Sequence, residues 1–440
     1  MAMVVKNNMS AISTLNTLNK NSSALAKSLE KVSSGMKING AADDASGYAI
    51  SERMRVQIRG LDQANANTQN GNAMMKVAEG AVSSTVDILK TLKEKVINAA
   101  NDTNTDSDRQ TIQKELDQSI DQIDDNANIT YNGKYLVDGS HNNQTTATTT
   151  ALTNESLDAG TRSTDALTAL KSRTGESLNI QSTDNVTISY VQQGKTYSTT
   201  FSVGNTTLSG ALEKVAYNGP DSVQNLLKLN TDVTSKIGVD GSGNTVYTAD
   251  KGCAMTLTAA TAGVTHQISG FTISITNNKG AINKSANAVL DNFSESIRAQ
   301  NKSDDNAMVF QVGTKANQAI KVGLTDMRST ALGLKGDDGE TLNVSTQVKA
   351  NAAINVLDNA IQKALDQQTT IGSVESRLSY TSSNLTTASE NVQSSESTIR
   401  DADMAKEMTN YTKNNVLLQA AQSMLAQANQ SSSSVLSLLQ

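Results

Sequence analysis

Residues 353–392 read AINVLDNAIQ KALDQQTTIG SVESRLSYTS SNLTTASENV, and the spacing inside this stretch decides the fold. Ala353, Leu357, Ala360, Ala364, Gln367, Ile371, Val374, Leu378, Thr381, Leu385, Ala388 and Val392 follow one another in alternating steps of four and three. Ten of these twelve positions are apolar. A sustained 3.5-residue period draws a stripe that winds slowly around a straight helix, so the helix must supercoil with a partner to keep the stripe covered. About forty residues at 1.5 Å each make a rod of roughly 60 Å. Such a helix cannot bury its stripe alone.

Partners stand at the other end of the chain. Leu15, Leu18, Ser22, Leu25, Leu29, Val32 and Met36 form one heptad stripe, and Met75, Ala78, Val82, Thr85, Leu89, Leu92, Val96 and Ala99 a second. Ser107 to Gln110 reads as a capping box, opening a shorter helix through Ile112, Leu116, Ile120 and Ile123. The last segment carries Met404, Met408, Tyr411, Leu418, Ala421, Leu425 and Ala428. A break at Ser431–Ser434 follows, then Val435, Leu436, Leu438 and Leu439. Many stripe positions are Ala, Ser or Thr. Such knobs let helices approach closely but bury little area, and at about 25 cal/mol per Å² a thin two-helix contact is marginal. Residues 1–40 and 400–440 are therefore expected to order only when copies pack together. Gly60, Gly71 and Gly80 interrupt the second stripe's helix, each at about 1 kcal/mol against Ala. They read either as kinks or as points of close backbone approach.

The middle reads differently. Residues 141–305 are rich in Thr, Ser, Gly and Asn. Val186, Ile188 and Tyr190 alternate, Gln192 to Lys195 can turn, and Tyr197, Thr199, Phe201 and Val203 alternate back, which predicts a hairpin. Phe271, Ile273 and Ile275 predict another strand. Leu208–Val215, Asp221–Leu229 and Ala286–Ile297 read as short helices. Phe310 and Val312, then Ile320, Val322 and Leu324, predict a hairpin returning to the rod.

Composition narrows function. The chain has 440 residues, aromatic content of 3%, no Trp, and a single proline, Pro220. Without proline, which lacks the N–H and clashes with the preceding turn, long helices are permitted at both ends. The net charge of −6, with no basic run, excludes general nucleic-acid binding. No window of about 18 apolar residues exists to span a membrane. The opening residues lack a signal-peptide core and cleavage site, so export is expected by a route that cleaves no such signal. Cys253 has no partner for a disulfide and reads as a small thiol rather than a nucleophile. His141 and His266 are too few for a zinc site of usual spacing, and no His-Glu-x-x-His occurs. The glycine run Gly238 to Asn244 lacks the Gly-Lys-Ser/Thr of a phosphate loop and reads as a turn. Asp43 and Asp44 precede a helix and read as its start rather than as a cation site. No catalytic constellation and no cofactor is expected.

The ends then become specific. Ser33-Ser34-Gly35-Met36-Lys37-Ile38-Asn39 and Ala42-Asp43-Asp44-Ala45-Ser46-Gly47-Tyr48-Ala49-Ile50 resemble the N-terminal signature of bacterial flagellins. Ile58 to Asn67, Asn70-Gly71 and Ala78 to Ala81 continue it in order. Ile399-Arg400-Asp401-Ala402-Asp403-Met404-Ala405 and Leu425 to Gln430, including Asn429, resemble the C-terminal signature, and Phe310 to Gly313 resembles the family's rod hairpin. The resemblance covers roughly residues 1–140 and 306–440. One departure is Ser432, where flagellins usually have a proline.

The resemblance implies a mainly α protein. It would be a long antiparallel helical coiled-coil rod built from both chain ends, with a rod-associated β-hairpin and an inserted α+β outer domain. Residues 1–43 and 400–440 would form the inner coiled-coil tube domain. Residues 44–140 and 306–399 would form the helical rod domain, and 141–305 an outward-facing variable insertion. Leu15, Leu18, Leu25, Leu29, Val32, Met404, Met408, Leu418 and Leu425 would serve self-assembly of the inner helices. Ala78, Val82, Leu89, Leu92, Ile371, Val374, Leu378 and Leu385 would pack the rod. The function implied is a filament subunit that gives motility, and a head-to-tail contact that does not close generates such a helical polymer. Implied partners are many copies of the same chain, an export chaperone on residues 400–440, the flagellar export apparatus, and the cap and junction proteins. Flagellins seen by the vertebrate innate receptor resemble Arg-Glu-Leu in the second rod helix, with an Arg shortly before it. Here Thr91 replaces that Arg and Lys95 the Leu, so weak recognition is expected. Two other readings remain: a hook–filament junction protein with similar ends, and an adhesin displayed on a coiled-coil stalk.

Overall fold

Two helices of 55 and 54 residues carry this chain. The computed structural model describes residues 8–215, 227–230, 236–248 and 254–438. From the N-terminus, α1 (Met9–Ser34), α2 (Ala45–Ala99) and α3 (Asp106–Ala127) precede a short hairpin, β1 (Thr130–Tyr131) and β2 (Lys134–Tyr135). The middle runs β3 (Ala151–Asn154), β4 (Asn185–Gln192), β5 (Lys195–Ser202), α4 (Leu208–Val215), β6 (Leu227–Asn230), β7 (Lys236–Val239) and β8 (Thr245–Tyr247). It continues with β9 (Ala254–Thr258), β10 (Ile268–Thr276), α5 (Lys284–Leu290) and β11 (Ser294–Ile297). A hairpin of β12 (Met308–Gln311) and β13 (Ala319–Val322), the single turn α6 (Ser329–Leu332), α7 (Gln347–Arg400) and α8 (Met404–Leu438) complete the order.

The chain forms two compact units. One comprises the residues up to Thr68, Gln311–Gln318, and those from Tyr380 onward; the other comprises Gln69–Phe310 and Ala319–Ser379. In the first, α1 packs on α8, and Leu61 and Ala64 of α2 pack with Leu385 of α7. Asp62 accepts from Ser389 at 2.9 Å and Asn65 from Ser382 at 2.6 Å, so partner numbers fall as residue numbers rise. In the second unit the α2 stripe from Met75 to Ala99 is buried at every position. Lys93 pairs with Asp358, and Lys95 with Glu115 at 3.0 Å.

Local chemistry sets the helix ends. Asn8 caps α1 by accepting from Ala11 N at 3.1 Å, and Gly35, at φ 70°, closes it in the left-handed conformation that only glycine adopts freely. The buried Arg109 guanidinium donates to Ala99 O and Asn101 O at 3.0 and 3.1 Å, satisfying carbonyls where α2 stops. The capping box of α3 is not the expected Ser107–Gln110. Thr105 accepts from Asp108 N, and the Asp108 carboxylate accepts from Thr105 N at 2.9 Å. The Thr105 hydroxyl also donates to that carboxylate at 2.8 Å, and this bond, then the one from Thr105 N, holds the Asp108 carboxyl below its ordinary value. A Thr with an acidic residue three positions on does the same work as Ser and Gln.

The inserted middle holds a three-stranded sheet, order β10-β4-β5, and a four-stranded sheet, order β11-β3-β9-β6. The predicted hairpin is β4–β5, turned by Gln193 and Gly194 at φ 49° and 72°, as a two-residue hairpin turn requires. Both sheets and α5 share one apolar core, in which Phe271 meets Phe293 edge-on with ring centres 4.9 Å apart. The predicted helix 208–215 is α4, the predicted strand lies in β10, and the predicted hairpin near Phe310 is β12–β13. Two helices differ from expectation. Ala286–Ile297 is helical only as far as Leu290, because Asp291 N closes on Asn287 O and the chain then enters β11. Of Asp221–Leu229, residues 221–226 lie outside the described residues, and 227–230 are strand β6. Pro220 and Cys253 also lie outside them.

Candidate assembly surfaces and the signature junction

The seam between α1 and α8 is shifted from the stripe the sequence suggests. The covered positions on α1 include Thr14, Leu18, Asn21, Leu25, Ser28 and Val32, with Ser28 the most buried. Leu15 and Leu29 of the predicted stripe are exposed, at 45% and 52%, as is Ile12. On α8, Tyr411, Leu418, Ala421, Leu425 and Ala428 are covered, whereas Met404 and Met408 are exposed. Polar bonds select this face. Asn414 Nδ2 donates to Ser28 Oγ at 3.0 Å, Asn21 Nδ2 to Leu417 O at 3.2 Å, and Asn8 Nδ2 to Ala428 O at 3.1 Å. Counting apolar residues misses such a seam, because its register is carried by asparagine and serine. The expected break at Ser431–Ser434 is absent: α8 continues to Leu438, with Ser431 and Ser434 hydroxyls bonded back to Ala428 O and Gln430 O. Leu439 lies outside the described residues.

The signature residues meet where α1, α2, α7 and α8 end or begin. Asp44 caps α2, accepting from Ser46 N and Gly47 N at 3.0 Å each, and Asp403 caps α8, accepting from Ala405 N at 3.0 Å. Asp43 accepts from Asn39 N and Gly40 N, and those bonds hold its carboxyl below the ordinary value. The pair of aspartates thus serves helix and loop geometry. At Gly47 a Cβ would sit 2.5 Å from Asp44 Oδ2 and 2.8 Å from Ile38 Cδ1, so a side chain there would displace the capping carboxylate or the Ile38 side chain. Arg400 is buried at the end of α7. Its guanidinium reaches Glu52 Oε1 at 2.6 Å and Met36 Sδ at 3.2 Å and lies over the Tyr48 ring. Around it the two chain ends clasp through backbone: Lys37 N donates to Arg400 O at 2.8 Å and Ala402 N to Gly35 O at 2.9 Å. Asp401 accepts from Ser397 Oγ and bridges to Met36. Asn429 is exposed on α8, away from the clasp.

The remaining predicted packing residues are buried. Ala78, Val82, Leu89, Leu92, Ile371, Val374 and Leu378 lie in the second unit and Leu385 in the first. Gly60 and Gly71 are points of close approach: a Cβ would come within 2.9 Å of Thr314 and 3.0 Å of Phe310, respectively. Gly80 has open space around it. Beside the buried stripe, half-buried Glu375 faces Glu79. Loss of water, then the Glu79 charge, pushes the Glu375 carboxyl up.

No grouping of His, Cys, Asp and Glu suited to a metal exists among the described residues. His141 bonds Asn306 O at 3.2 Å, and His266 bonds Thr265. A cavity of about 220 Å³ opens among Asp138, Arg298, Gln300, Arg328 and Lys363. Three of the cations that line it are paired: Arg298 with Asp366, Lys363 with Glu295 at 3.4 Å, and Arg328 with Asp326 at 2.6 Å; Lys302 lines it as well. No helix among the described residues is long and apolar enough to cross a membrane.

The model of the bacterial flagellin N-terminal helical region matches residues 5–142, and that of the C-terminal helical region matches 354–439. A flagellin of Clostridium tyrobutyricum is 34% identical over 97% of this chain and 99% of its own length. A flagellin of Bacillus subtilis is 30% identical over 99% and 100%. Among solved structures, a flagellar hook-associated protein 3 of Legionella pneumophila aligns with 78% of this chain and 97% of its own at 15% identity, with a TM-score of 0.33, too low to bear on the choice between subunit types. The two terminal matches and the full-length relatives agree, and the chain belongs to the bacterial flagellins, the structural subunits that polymerise into the extracellular filament of the motile flagellum.

Proposed function

We propose that the chain ends form an antiparallel coiled coil whose outward apolar ridge is the contact between copies in the filament. The observation that carries this reading is the division of α1 into two faces. Its inward face meets α8 through Leu18, Leu25 and Val32 interleaved with Thr14, Asn21 and Ser28, while Ile12, Leu15 and Leu29 stay exposed. On α8, Met404, Met408, Val416 and Met424 are likewise exposed. An apolar ridge of this kind on a soluble subunit calls for cover, and further copies of the chain supply it. Residues 1–43 with 400–440 then act as the inner domain, 44–140 with 306–399 as the rod, and 141–305 as the outward insertion. Falling partner numbers between α2 and α7 support the antiparallel arrangement.

The subunit leaves the cell unfolded through the flagellar export channel. A dedicated chaperone covers residues 400–440 beforehand, and cap and junction proteins meet the polymer at its ends. With Thr91 and Lys95 at the receptor-reading positions, dissociated subunit signals weakly to the vertebrate innate receptor. Polymerisation is tested by Leu29→Lys. Negatively stained material should contain dispersed subunits and no filaments, while the β4–β5 region keeps its proteolytic resistance. Filaments of ordinary length from this variant would overturn the assignment of the ridge.

A further inference from the structure

The chain has 13 methionines, and the fold sorts them. Met74, Met75, Met255, Met308 and Met327 are buried, none more than 8% exposed. Met36 and Met54 are half-buried, and the Met36 sulfur already accepts from Arg400 Nε at 3.2 Å. Met1 and Met3 lie outside the described residues. The other four, Met9, Met404, Met408 and Met424, are between 43% and 68% exposed. All four lie on α1 or α8, and three belong to the apolar ridge of α8. Met404 and Met408 stand one turn apart on that helix, and Met9 stands one turn before Ile12 on α1.

A thioether in contact with water is open to oxidation. Its sulfur lone pair attacks one oxygen of hydrogen peroxide. An S–O bond forms, the O–O bond breaks, and a proton passes from the sulfur-bound oxygen to the leaving hydroxide to give water. Sulfur loses two electrons and the peroxide gains them. The product is a polar sulfoxide where an apolar side chain stood, and such a change disrupts a methionine-rich contact. In the free subunit water solvates the sulfoxide oxygen. Under a neighbouring copy that water is lost, and burial without a hydrogen-bond donor is costly.

We propose that Met9, Met404, Met408 and Met424 are an oxidation site that gates assembly. In the unassembled subunit hydrogen peroxide converts them to sulfoxides, and the oxidised subunit is excluded from the filament. This rests on the ridge being the contact between copies. The core methionines keep their thioethers because packing holds their sulfur away from peroxide. Oxidation therefore changes the ridge and spares the fold. Assembly in turn covers the four and protects them.

Peroxide treatment of full-length, unassembled subunit, quenched before polymerisation, tests this, with sulfoxide read at each methionine by peptide mass spectrometry. Met9, Met404, Met408 and Met424 should gain oxygen at least about tenfold faster than Met75, Met255 and Met327, and equal rates overturn the site. In a partly oxidised sample, sulfoxide at 404, 408 and 424 should be at least about fivefold scarcer in sedimented filaments than in subunits left in solution. Equal fractions in the two overturn the exclusion. Met9→Leu, Met404→Leu, Met408→Leu and Met424→Leu combined keep the apolar area and cannot form a sulfoxide. That variant should polymerise as well after peroxide as before. It retains Cys253, so its loss of filaments on treatment would place the effect elsewhere and overturn the proposal. Should it not polymerise untreated, the partition of the natural chain decides alone. Leu29→Lys separates this gate from the ridge itself. Filaments from Leu29→Lys remove the ridge; none from it, together with free entry of oxidised natural subunits, removes only the gate.

Discussion

At Arg400 one side chain does several kinds of work. It ends α7, covers the Tyr48 ring, and draws Glu52 into an ion pair that holds the Glu52 carboxyl below its ordinary value. Because the folded value is lowered, this pair's contribution is present above the ordinary glutamate range and is lost as pH falls through the folded value. Glu52→Gln should therefore speed proteolysis of the 35–43 loop at neutral pH and make it insensitive to mild acidification; an unchanged acid response would refute the assignment. Glu375 has the opposite sign. Its carboxyl is raised by burial and by Glu79, so the ionised form of Glu375 weakens the fold. Glu375→Gln should raise the melting temperature at about pH 8, with the gain shrinking toward about pH 4, as read by calorimetry of unpolymerised subunit.

At the scale of elements, β10 sits on α7 only because residue 270 lacks a side chain. The register shift of β10 against β4 between Ile268 and Gly270 marks a bulge, which turns the Ser269 carbonyl to Asn359. Gly270→Ala forces Cβ against the backbone of α7 at Val356 and should cost about 1–3 kcal/mol, measured by denaturant titration of tertiary signal. The β4–β5 hairpin was legible in its alternation and its Gln193-Gly194 turn. β11 was not: Ser294–Ile297 follows a helical pattern without a proline or glycine to interrupt it. Its strand pairing with β3 depends on residues more than a hundred positions away.

For the whole molecule, two kinds of apolar surface carry different duties. Leu378 is fully buried in the second unit. Leu378→Ala should destabilise the subunit by about 2–5 kcal/mol through the cavity it leaves, visible as an earlier thermal unfolding. Leu29 is exposed, and changing it should spare the fold and abolish the filament. Family membership was legible at both ends because the signature residues are tied to local geometry. Asp44 and Asp403 cap helices, Gly47 admits the cap, and Arg400 holds the clasp.

From the sequence alone came the long helices at both termini, the buried face of α2 from Met75 to Ala99, the α7 stripe and the central hairpin. These follow from periodicity and turn chemistry, which act between residues a few positions apart. Tertiary structure alone decided that α1 turns Ser28 and Asn21 rather than Leu15 and Leu29 toward α8. It also decided that Thr105 rather than Ser107 opens α3. In each case several local solutions have similar free energy. The choice falls to hydrogen-bond partners and excluded volume contributed by other parts of the fold, which no local pattern encodes.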